Sequence, residues 1–146
     1  MNADGTIPIS YRKRARDLLV QALYQWQLAG AEAEQIEAEF RADNGRKTDW
    51  TFFHNALDAI TREPAVIDAH YQGYLDRRGD ELDPIELGIL RLGVFELANC
   101  LEVPYKVVLN EYVELAKKYG ATDSHKYVNG ILDKAARQLR QVEWGR

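Results

Sequence analysis

The sequence predicts an all-α protein of about seven helices in two small packed bundles. Three observations carry that prediction. Apolar residues recur at steps of three and four along most of the chain. No segment alternates apolar and polar residues as a half-buried strand does. The stretch Asp83-Pro84-Ile85-Glu86 starts a helix strongly, with Asp as cap, Pro at the first position and Glu three after the cap. At 146 residues, with 46% apolar and 29% charged residues, the composition is that of a soluble globular domain large enough to fold unaided. No apolar run approaches the ~20 residues that span a bilayer, and the N-terminus lacks the apolar core of a signal peptide, so a cytoplasmic protein without membrane contact is expected. A single cysteine, Cys100, fits a reducing compartment and reads as a small core residue.

Residues 1–9 read as a flexible lead-in, followed by an N-terminal subdomain over about 10–62 and a C-terminal one over about 64–146. The first helix is expected from about Tyr11 to Ala29, with Ala15, Leu18, Leu19, Ala22, Leu23 and Trp26 as its core stripe. A second ridge, Val20, Tyr24 and Leu28, lies roughly opposite. A helix apolar on two sides either lies between subdomains or offers one side to a partner. A short acidic helix with Ile36 and Phe40 inward falls between Gly30 and Gly45. Thr48 or Asp49 caps the next, whose stripe is Trp50, Phe53, Leu57 and Ile60. A fourth helix is expected after Pro64, through Val66, Ile67, Tyr71, Tyr74 and Leu75, and Arg77-Arg78-Gly79-Asp80 reads as a linker. From Ile85 to Leu101 the helix is apolar almost all round, the pattern of a bundle centre, with Glu86 and Arg91 as polar exceptions.

The chain then turns on Val103–Lys134. Pro104 suits the first position of a helix carrying Val108, Tyr112, Leu115 and Tyr119 on one face. Lys117 and Lys118 fall in its last turn, and Gly120 is expected to turn left-handed at its end. The turn 121–124 offers cap candidates for a last helix with Val128, Ile131, Leu132, Ala135, Leu139 and Val142 on one side. Gly130 inside that helix costs roughly 1 kcal/mol against Ala, so it is expected to admit a close neighbour.

Charge is unevenly spread. The net charge is −4, yet residues 1–29 and 102–146 each carry +2 while residues 30–83 carry −7. If the two ends pack together, a mildly acidic protein presents a basic face. Arg12, Lys13, Arg14 and Arg16 crowd a helix start, where cations oppose the dipole, so local stability does not explain them; they read as a polyanion contact or, as the alternative, a solvated charged entry to the helix. Metal and catalytic patterns are missing. His54, His70 and His125 have no ligand-like spacing, Gly88 and Gly93 lie in an apolar helix rather than a phosphate loop, and Asp123-Ser124-His125 is too compact for a nucleophile–base chain. No catalytic residue, metal or cofactor is expected.

Two stretches carry a family resemblance: R-K-R-A-R-D-L-L-V-Q-A-L-Y-Q-W-Q-L at 12–28, and E-V-P-Y-K-V through D-S-H-K-Y-V-N-G-I-L-D-K at 102–134, with P-I-E-L-G-I-L-R-L-G-V-F-E-L between them. They resemble the NusB family of bacterial transcription antitermination factors. The resemblance implies an RNA-binding factor that pairs with NusE, a small-subunit ribosomal protein. The pair would bind single-stranded boxA-type RNA in nascent ribosomal transcripts and join the elongating RNA polymerase with other Nus factors. Carried over by residue, it implies RNA contacts at Arg12, Lys13, Arg14, Arg16, Arg91, Asp123, Ser124, Lys126 and Tyr127, the last standing where the family often has Phe. It implies NusE contacts at Tyr24 and at Glu86, taken as exposed. An accessory domain of an RNA-modifying enzyme and a protein-only helical adaptor are the alternative classes; the chain shows no catalytic domain before Arg146.

Overall fold

The computed structural model describes residues 6–76 and 82–145, and the chain divides into two compact units, 1–62 and 63–146. Among the described residues there are eight α-helices, one 3-10 turn and no strand. The linker-like Arg77–Asp80 and most of the lead-in lie outside the described residues.

The first unit is a three-helix bundle of α1 (Ile9–Ala29), α2 (Ala33–Asp43) and α3 (Trp50–Arg62). Leu19, Leu23, Ile36, Phe53, Leu57 and Ile60 are fully buried, as their helical spacing requires. Burying each such side chain is worth about 1.5–3 kcal/mol relative to exposure. Phe53 also meets Phe40 at 5.8 Å and Trp50 edge-on at 5.1 Å, locking α2 to α3. α1 ends at Gly30, whose φ of +67° lets its N–H reach the Trp26 carbonyl, a conformation costly for a residue with a Cβ. α3 starts at Asp49, whose Oδ1 accepts the Phe52 N–H at 3.0 Å.

In the second unit α5 (Pro84–Asn99), α6 (Tyr105–Tyr119) and α7 (Ser124–Leu139) pack on one another. Asp83 caps α5 as expected, its Oδ1 accepting the Ile85 N–H at 2.7 Å and the Glu86 N–H at 3.4 Å. Ile89, Leu90, Leu92, Val94 and Leu97 are all fully buried, so α5 is apolar on most sides for the reason its sequence shows. Its Glu96 is also buried, and Tyr112 of α6 donates to it at 2.7 Å.

Four expectations are corrected. The fourth helix stops early. α4 is only Pro64–Asp68, followed by tight turns and a 3-10 turn at Gln72–Tyr74, and Asp68 accepts the Tyr71 hydroxyl at 2.8 Å across that turn. Gly120 is extended (φ −89°, ψ 175°), not left-handed. A Cβ there would meet the Ala116 carbonyl and the Ser124 side chain at 2.8 Å, so close approach is its reason. Gly130 has nothing within 4 Å of a Cβ, and no packing need explains it. The close neighbour belongs to Gly93 of α5, where a Cβ would meet the Leu132 methyls at 2.8 Å. Finally, the last helix ends at Leu139 and a separate turn, α8 (Gln141–Trp144), follows, leaving Val142 exposed. The cause is Arg140, which turns inward and donates to the carbonyls of Leu97 (2.6 Å), Cys100 and Val103 (both 2.9 Å).

Candidate nucleic-acid interface

The cations at the start of α1 split into different roles. Arg12 donates through Nε to Asp49 Oδ2 at 2.8 Å and stacks over the Phe52 ring at 4.2 Å, with Asp49 almost wholly buried. The Asp49 N–H also reaches the Tyr11 carbonyl at 3.1 Å. Arg12 thus ties the start of α1 to the start of α3, and a buried carboxylate offsets its charge. Lys13 and Arg14 are exposed, Arg14 donating to Asn44 Oδ1 at 2.8 Å. Arg16 is only 3% exposed. The expectation that it contacts RNA is corrected, since a buried guanidinium cannot meet a phosphate without rearrangement.

The segment 44–49 between α2 and α3 is therefore pinned at both ends to the start of α1, by Asn44 and by Asp49. Arg46 and Lys47 lie between the pins and are exposed. They extend the surface of Lys13 and Arg14, with Asp43 as an exposed acid nearby. Sequence reasoning missed them because they sit in the acidic stretch 30–83, where averaging hid them; the dipeptide itself was the available signal. On the second ridge of α1, Val20 is buried while Tyr24 is 41% and Leu28 57% exposed. An exposed tyrosine is the kind of anchor that protein interfaces use, and Leu28 one turn on extends the apolar ridge.

The second unit changes more of the expected assignments. Glu86, taken as exposed, is 5% exposed and accepts the Ser124 hydroxyl at 2.7 Å. Ser124 is buried too, so this pair fastens the start of α7 to α5 rather than facing a partner or RNA. Arg91 is likewise engaged inside the unit. Its Nε and Nη2 meet the two Asp68 oxygens at 2.9 and 3.0 Å, and Tyr71 shares that carboxylate. Burial pushes the Tyr71 phenol up, aided by the charge of Asp68. For Arg91, burial acts to lower the pKa, but the hydrogen bonds and charge of Asp68 outweigh it and the guanidinium is held above its ordinary value. What stays at the surface is the turn itself. Asp123 precedes α7 without a side-chain capping bond and pairs with Lys126 at 3.3 Å, both largely exposed. Tyr127 is half-buried, with its hydroxyl inside. Among the described residues no group of His, Cys, Asp and Glu could hold a metal, and no helix is long and apolar enough to cross a membrane.

An all-helical chain with cations gathered at a helix start and an aromatic anchor left open belongs to the class of small helical binding proteins. The model of the NusB family matches residues 13–137, and the chain belongs to that family. The transcription antitermination protein NusB of Alcanivorax borkumensis is 53% identical, the match covering 92% of this chain and 90% of that protein. Its counterpart in Hahella chejuensis is 50% identical, with 90% and 89% covered. Among solved structures, NusB from T. maritima superposes with a TM-score of 0.81 at 27% identity, covering 92% of this chain and 97% of that one. A structure of antitermination factors NusB and NusE in complex with dsRNA gives a TM-score of 0.77 at 30% identity, covering 90% and 99%.

Proposed function

We propose that this protein is a transcription antitermination factor that binds RNA together with NusE. In this reading it recognises the boxA element of nascent ribosomal RNA and joins the elongating polymerase with other Nus factors, in the cytoplasm and without catalysis. The observation that carries the reading is family membership over nearly the whole chain, joined to the exposed cations at the start of α1. Lys13 and Arg14 serve as phosphate contacts, which position an RNA strand without reading its sequence. Lys126 and Tyr127 are the contacts retained in the second unit, and Asp123 orients Lys126. Tyr24 is the anchor for NusE, supported by its exposure beside Leu28. Filter binding with a boxA-type single-stranded RNA tests the reading, with and without NusE and beside the same RNA annealed to its complement. Tighter binding of the single strand when NusE is present is expected. The neighbouring complex with dsRNA makes the duplex the second reading, and preference for the annealed RNA would select it. No RNA binding in either arm would leave a protein-only adaptor.

A further inference from the structure

A groove of about 440 Å³ runs between α6 and α7, floored by Leu109 and Val113. From α6 it is lined by Lys106 and Asn110, one turn apart; from α7 by Lys126 and Asn129, also one turn apart. The two helices are joined by residues 120–123 and therefore run antiparallel, which sets the lysines toward opposite ends and the carboxamides between them. Lys106, Asn110 and Asn129 are exposed, and neither carboxamide has a side-chain partner among the described residues. Asp133, at the Lys106 end, is paired with Arg137, and Asp123 with Lys126. Neither acid faces the middle of the groove uncompensated. A helix surface has no structural need for two idle carboxamides over an apolar floor; Asn is a poorer helix former than Ala. A carboxamide offers one donor face and one acceptor face, the pattern that matches a base edge.

We propose that this groove is a nucleotide subsite for single-stranded RNA. Asn110 and Asn129 hydrogen-bond the edge of one unstacked base lying on Leu109 and Val113, and Lys106 and Lys126 hold the phosphates on either side. The subsite rests on the RNA-binding reading above and assigns it base recognition in the second unit, while the α1 cations supply backbone contacts. Unstacked bases of single strands expose the edges that such groups read, which a paired duplex does not.

The test is abasic scanning. The full-length protein with NusE is titrated against a boxA-type RNA and against copies in which each nucleotide in turn lacks its base. In the parent protein one position should cost about tenfold or more in affinity, the loss expected for a well-placed base contact. In Asn110→Ala/Asn129→Ala that position should become silent, while the salt dependence of binding stays the same. Lys106→Ala should do the reverse, flattening the log–log salt slope by about 0.7 and keeping the abasic pattern. Melting temperature controls for folding, and Asn110→Asp, which keeps the size and removes the donor, repeats the test should the double variant unfold. If the double variant feels every abasic position as the parent does, the subsite is overturned and RNA binding stands. If the parent protein binds none of these RNAs, the proposed function fails as well.

Discussion

Arg140 shows how one side chain can hold several chain ends. Besides the carbonyls of Leu97, Cys100 and Val103 it reaches that of Glu96 at 3.4 Å, and it donates to Glu143 Oε1 at 2.7 Å. Glu143 in turn accepts the Tyr105 N–H at 2.7 Å, so the end of α5 and the start of α6 are closed by the same pair. Arg140→Met should cost roughly 3–5 kcal/mol in urea unfolding, since it leaves several buried carbonyls unpaired, and RNA affinity well below the melting temperature should be unchanged. Nothing in the sequence pattern separated Arg140 from its solvated neighbours, because an inward arginine and an outward one occupy the same kind of position. Tyr127 makes the opposite case. Its aromatic character and place at a helix start were legible, but its partly buried ring was not. Tyr127→Ala should lower RNA affinity by about 1–3 kcal/mol if one base stacks on it. Normal affinity measured at low temperature would confine RNA contact in this region to Lys126 and the groove.

At the scale of elements, the helices with strong start signals and wide apolar stripes were the ones the sequence specified, α5 above all. Asp83, Pro84 and the buried run after them agree with one another locally, and the structure follows them. Where tertiary contacts decide, local signals misled. Glu86 sits where a capping box would place it, yet its carboxylate serves Ser124 instead. The start of α7 therefore depends on α5 rather than on its own cap. Ser124→Ala should destabilise the protein by about 1.5–3 kcal/mol in thermal or urea unfolding, the range for a hydrogen bond to a charged group. Asp123→Ala should change stability little, because the Asp123 side chain makes no capping bond. A stability loss from Asp123→Ala as large as that from Ser124→Ala would mean that α7 is capped locally after all. On α1, Tyr24→Asp should abolish NusE pull-down while the isolated protein keeps its RNA affinity. Retained pull-down would move the partner surface elsewhere.

For the molecule as a whole, the fold class and the family were legible because long ordered stretches carry them. The surface was less so. Of the four cations at the start of α1, the sequence could not tell that Arg12 is committed to Asp49 and that Arg16 is buried, nor that Arg46 and Lys47 join the exposed pair. Only packing sorts like charges into buried and exposed ones. In the function proposed above, the exposed ones, Lys13 and Arg14 with Arg46 and Lys47, meet RNA phosphates. The most direct measurement is the salt dependence of RNA affinity for the parent protein, for Lys13→Ala/Arg14→Ala and for Arg46→Ala/Lys47→Ala. Each pair of lost phosphate contacts should flatten the log–log slope by about 1.4, at about 0.7 per phosphate on a single strand, with the melting temperature unchanged. Slopes identical to that of the parent protein in both variants would contradict the account.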